Sequence, residues 1–86
     1  MYYFYIVRCK DNSLYCGFTT NLERRVEEHN SHNYKSAKYT RAKGPVKLVY
    51  FEQFNSKQEA MKREYEVKQW RKEQKENLIL TQHQIG

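Results

Sequence analysis

Two tyrosines, an arginine–histidine pair and one glutamate among apolar neighbours are the residues in this chain whose types and spacing could do chemistry. Tyr5 and Tyr15 stand on either side of a turn-forming stretch. The same pair on adjacent strands can be pure packing, in a chain that holds eight tyrosines. Arg25 and His29 are spaced i,i+4, which puts them on one helix face beside the apolar stripe of Leu22 and Val26. Arg25 there could clamp a phosphate oxygen bidentately, or pair with Glu28. His29 could equally close the C-terminal end of the helix, where the dipole favours it. Glu64 shares a helix side with Ala60, Met61 and Val67. A carboxylate on that side points towards the sheet and needs a cation: an arginine, a lysine or a metal. Lys68, at i+4, is the nearest internal candidate.

The elements that must position these groups are legible in the pattern. Tyr2–Cys9 is aromatic and β-branched, with apolar residues at both parities, and reads as a strand covered on both faces. Lys10-Asp11-Asn12-Ser13 is a turn cluster, because Asp and Asn tolerate left-handed and Asx-turn geometry. Leu14–Phe18 follows as a second strand, making a hairpin. Gly17 inside it marks either a bulge or the close approach of another group. Thr20-Asn21-Leu22-Glu23 fits a capping box and predicts a helix from about Asn21 to Asn30. Residues 31–45 read as a long loop, and Val46–Phe54 as a third strand. Ser56 and Glu59 form a second capping box, opening a helix to about Trp70 or Arg71. Lys72–Leu80 reads as a short last helix docked through Leu78, Ile79 and Leu80. The order β-β-α-β-α-(α) is that of an α+β fold, a three-stranded antiparallel sheet flanked by helices.

Composition narrows the function. Eighty-six residues make one small domain, with a core expected over about residues 2–80. The longest apolar stretch, Tyr2–Val7, is far short of the roughly 20 residues of a membrane helix. The N-terminus lacks the pattern of a secretory signal. Cys9 and Cys16 make neither a disulfide framework nor a zinc signature, so a reduced, cytoplasmic setting is expected. Sixteen Lys and Arg against ten Asp and Glu leave a net charge of +6. That balance suits a polyanionic partner, or simply a soluble surface. No acidic residue falls between Glu28 and Glu52, whereas Lys35, Lys38, Arg41, Lys43 and Lys47 do. Tyr34 and Tyr39 interleave with them, the pattern of a groove that contacts phosphates and stacks on bases. A solvated loop is the plainer alternative.

Together, Tyr3-Phe4-Tyr5, Tyr15-Cys16-Gly17, Arg25 and His29 on a first helix and Glu64 on a later one resemble the GIY-YIG nuclease domain, over about Tyr2 to Ile79. Either strand motif alone is weak, and the combination is specific. Lys38-Tyr39-Thr40-Arg41 and Pro45–Tyr50 are further similar to the small stand-alone bacterial members. Tyr3 and Phe4 replace the family's first Gly and Ile, and Cys16 replaces its second Ile; Gly17 is kept. Asn77 is a candidate counterpart of the family's late Asn.

This resemblance implies hydrolysis of a DNA phosphodiester with one divalent metal, Mg²⁺ or Mn²⁺. Tyr5 and Tyr15 would carry the motif tyrosines, one of which positions or deprotonates the attacking water. Arg25 would stabilise charge on the phosphate, and Glu64 would hold the metal. His29 matches a position tied to chemistry less uniformly. Lys35, Lys38, Tyr39, Arg41, Lys43 and Lys68 would contact DNA, with branched, nicked or flap structures and a repair or recombination role in view. Larger family nucleases usually carry a separate targeting domain, which makes a protein partner an expectation here. A non-catalytic nucleic-acid-binding module of the same fold, or a subunit that needs a targeting partner, are the competing readings.

Overall fold

The computed structural model describes residues 1–30 and 45–85, the side chains of 83–85 excepted. Strand β1 (Tyr2–Cys9) leads through a tight turn to β2 (Leu14–Thr19), then to helix α1 (Leu22–Asn30). Strand β3 (Val46–Phe54) is followed by α2 (Lys57–Lys68) and α3 (Lys72–Ile85). The sheet is antiparallel with order β2-β1-β3, so β1 is central. The expected α+β architecture is therefore observed, with a last helix that runs five residues beyond the expected Leu80.

Covering β1 on both faces splits the core in two. Phe4 and Ile6 point into one cluster with Cys16, Tyr50, Val67 of α2 and Ile79 of α3. Tyr5, Val7 and Cys9 point into the other with Val46, flanked by Tyr15, Leu22 and Val26 of α1, and Leu48. This is the alternation a strand imposes, and full burial of each large apolar side chain stabilises by roughly 1.5–3 kcal/mol. Ladder register decides which side chains share a face. Tyr5 stands opposite Gly17, and Tyr15 opposite Val7, so Tyr5 and Tyr15 lie on the α1 face, offset rather than paired.

Local chemistry sets the element ends. Asn12 takes φ 73°, and Asp11 Oδ1 accepts from the Ser13 amide at 3.1 Å, as an Asx turn requires. Ser56 caps α2 as expected: the Glu59 amide donates to Ser56 Oγ at 3.2 Å, and Ser56 Oγ in turn donates to Glu59 Oε1 at 3.1 Å. The box at Thr20 does not form. Asn21 caps α1 instead, its Oδ1 accepting from the Arg24 amide at 3.0 Å. Both residue types cap well, and the strand extends through Thr19, which moves the helix start one residue on. Two expected core residues also move outward. Leu80 is 55% exposed on α3, and Met61 is 43% exposed on α2, where Ala60 and Val67 carry the packing.

Polar clamps fix the helices on the sheet. Arg8 forks onto Glu76 at 2.7 and 2.8 Å, tying β1 to α3. Arg63 forks onto Glu52 at 3.0 Å through Nε and through a terminal nitrogen, while Tyr50 Oη donates to Glu52 Oε2. The Arg63 guanidinium also lies over Trp70, 5.3 Å from the ring centroid. Gln82 closes the outer edge of β3 like a further strand, accepting from the Phe51 amide at 3.2 Å and donating to its carbonyl at 3.0 Å.

Candidate active site

Tyr5 is the centre of the arrangement. Its position in the central strand places the ring on the α1 face, where Arg25 and His29 descend from one side of the helix. Arg25 Nε donates to Tyr5 Oη at 3.2 Å. The same oxygen lies 3.0 Å from His29 Nε2. A guanidinium can only donate, so Tyr5 accepts from Arg25. Towards His29 the hydroxyl can either donate or accept, according to the tautomer of the ring.

Burial explains the electrostatics. His29 has no exposed surface, and desolvation beside the Arg25 charge pushes its pKa down to about 4. A neutral, enclosed imidazole bonded to Tyr5 is not a helix-end cation, so the dipole-capping alternative is set aside. Burial pushes the Tyr5 hydroxyl up to about 12, although the Arg25 hydrogen bond and charge pull the other way. Arg25 also donates to Glu28 Oε1 at 3.2 Å, so the surface pairing expected as an alternative coexists with the tyrosine contact.

Gly17 permits this packing. A Cβ built there would stand 2.5 Å from Tyr5 Oη and 2.7 Å from Cζ. Of the two roles open to Gly17, close approach is the one realised. A ladder irregularity falls instead between Ile6 and Val7 of β1, where the β3 partner jumps from Tyr50 to Leu48.

Tyr15 and Glu64 complete the cluster from the far side. The Tyr15 ring meets His29 edge-on, with centroids 5.4 Å apart and planes at 68°. Lys68 Nζ lies 5.7 Å from the Tyr15 ring centroid and 3.9 Å from Glu64 Oε2. The Glu64 side chain is 22% exposed against 48% for Lys68. Burial is the main reason the Tyr5 and Cys16 pKa values are raised, and the negative charge of Glu64 adds a little to both. Tyr5, Tyr15, Arg25, His29, Glu64 and Lys68 therefore form one connected group. Asn77 is exposed on α3. Lys35, Lys38, Tyr39, Arg41 and Lys43, with Tyr34, lie outside the described residues; Lys47 is exposed on β3.

The donor set limits the metal chemistry. Among the described residues no three His, Cys, Asp or Glu gather into a chelating group. One carboxylate does not make a protein cage, but it fits a hydrated Mg²⁺ or Mn²⁺ whose other ligands are water and substrate phosphate. Cys9 and Cys16 are both free and buried. No helix among the described residues is long and apolar enough to cross a membrane.

Two features were beyond sequence reasoning. The Lys68–Tyr15 contact joins residues far apart in the chain, and no spacing rule signals it. The two-sided hydrogen bonding of Tyr5 was hidden too, although Gly17 across the hairpin was a clue that something large approached.

Comparison with known proteins shows the family and the fold. The UPF0213 protein of Staphylococcus haemolyticus is 56% identical over 78 residues, covering 91% of this chain and 93% of that protein. That of Clostridium perfringens is 57% identical over 79 residues, covering 92% and 83%. Two solution NMR structures share the fold. The UPF0213 protein of Bacillus halodurans has a TM-score of 0.59 at 49% identity, covering 94% of this chain and 85% of that one. A protein of E. faecalis has a TM-score of 0.61 at 43% identity, covering 95% and 85%. The family model described as the GIY-YIG catalytic domain matches residues 1–77, and the chain belongs to that typically nucleolytic family.

Proposed function

We propose that this chain is a divalent-metal-dependent DNA endonuclease domain that hydrolyses phosphodiester bonds. The observation that carries the reading is the Tyr5 hydroxyl held between Arg25 Nε and His29 Nε2, with Tyr15, Lys68 and Glu64 joined to the same cluster.

The roles divide by exposure. Tyr5 is enclosed and double-bonded into the network, so it fixes Arg25 and His29 in position. Arg25, half-buried and oriented by Tyr5 through Nε and by Glu28 through a terminal nitrogen, would turn its guanidinium to a phosphate oxygen and offset the charge growing on it. Tyr15 is half-buried and is the motif tyrosine that a solvent-borne nucleophile can reach, so it positions the attacking water. His29, enclosed beside Tyr5, holds the phenol in place through their 3.0 Å hydrogen bond. Glu64 would hold Mg²⁺ or Mn²⁺, which would polarise the phosphate and stabilise the leaving oxygen. The basic segment around Lys35, Lys38, Tyr39, Arg41 and Lys43 would track the DNA backbone, with a targeting partner choosing the site.

A non-catalytic binding module is the second reading, and the burial of Tyr5 is what favours it. The two separate on a panel of branched, nicked and flap DNA with Mg²⁺ or Mn²⁺. The nuclease reading expects strand scission that EDTA abolishes. Tight, salt-sensitive binding without scission of any substrate would establish the binder instead.

A further inference from the structure

Glu64 already has a cation beside it. Lys68 Nζ stands 3.9 Å from Oε2, within ion-pair range but longer than a direct hydrogen bond. The ammonium is half exposed on a flexible four-carbon stem, and its other anchor is the face of the Tyr15 ring at 5.7 Å. Neither contact is a strong tether. The carboxylate, by contrast, is mostly covered and is fixed on a helix that the Arg63–Glu52 fork clamps to the sheet.

We propose that Lys68 is the resident counter-ion of Glu64 in the metal-free protein, and that it passes to a substrate phosphate when a divalent cation takes the carboxylate. A dication and an ammonium repel each other at such a distance, so a dication bound to the carboxylate weakens the hold of Lys68 on it. Lys68 has solvent on its open side to move into, while Glu64 stays where the helix holds it. Its ammonium leaves beside Tyr15, the residue assigned to the water. The exchange makes metal and lysine competitors on Glu64 and partners on the phosphate. It rests on the metal reading proposed above.

Direct Mn²⁺ titration without DNA, counting free Mn²⁺ by electron paramagnetic resonance, tests the competition with no need of activity. The wild type is compared with Lys68→Met, Lys68→Arg and Glu64→Gln. Lys68→Met keeps the stem and removes the charge, and should tighten Mn²⁺ about three- to tenfold. Lys68→Arg, which can fork onto the carboxylate, should bind Mn²⁺ no tighter than wild type. Glu64→Gln should lose the site. A damaged fold cannot produce the gain expected of Lys68→Met. If Glu64→Gln loses Mn²⁺ and Lys68→Met binds it no tighter than wild type, the counter-ion role is overturned and the metal reading stands. If Glu64→Gln binds Mn²⁺ like wild type, both fall together.

Discussion

Gly17 lies directly across the hairpin from Tyr5, and a methyl group on it would occupy space already held by the Tyr5 hydroxyl, 2.5 Å away. The missing side chain is what lets the phenol come this close to β2 and reach both Arg25 and His29. Gly17→Ala should therefore push Tyr5 out of line. Overpacking of this kind costs about 1–3 kcal/mol. Urea unfolding of the variant should show that loss, and cleavage should fall further than stability alone accounts for.

How much of this was legible in the sequence depends on the range of the interaction. The limits of β1 and β3 followed from runs of β-branched and aromatic residues, and the Ser56 cap from a local box. The Thr20 box failed because Asn21, one residue later, caps equally well. Leu80 and Met61 failed because apolar identity does not say which side of a helix meets the sheet. In the site, Arg25 and His29 were readable as one helix face. That they meet on Tyr5 was not, because those contacts span 20 and 24 residues and depend on sheet register.

The imidazole gives a pH signature. His29 is depressed from 6.5 to about 4 by burial, so below pH 6.5 the unfolded chain binds a proton that the folded chain refuses. Its contribution is complete above pH 6.5, declines as pH falls through that window, and is lost by about pH 4. The shift corresponds to about 3 kcal/mol. Wild type should lose that stability between those limits, and His29→Gln should show a shallower decline in urea titrations at matched pH. Parallel curves would remove His29 from the linkage.

Tyr5→Phe isolates the hydroxyl. It keeps the ring in its cluster but removes the oxygen that Arg25 and His29 share. A buried imidazole nitrogen left without its partner costs about 1–3 kcal/mol. The His29 ring resonances in NMR should move, while the hairpin amides stay in place.

The clamp on α2 should be felt at a distance. Glu52→Gln keeps size but removes the charge that Arg63 and Tyr50 share. Charge-assisted bonds of this kind contribute about 1.5–3 kcal/mol, reduced here by partial exposure. Hydrogen exchange should rise along α2, and Glu64 should hold its cation less firmly. Unchanged exchange would show that apolar packing through Ala60 and Val67 alone fixes the helix.

On the proposed mechanism, Arg25 and Glu64 act on a DNA phosphodiester in the transition state rather than merely helping to bind it. The most direct measurement compares cleavage and binding in wild type, Arg25→Ala and Glu64→Gln, on branched, nicked and flap DNA with Mg²⁺ or Mn²⁺. Wild type should cut at least one of these, and each variant should lose about a hundredfold or more in rate. Affinity should change only by about the contribution of one phosphate contact. Wild type and variants that bind alike and cut none of these substrates would contradict the account.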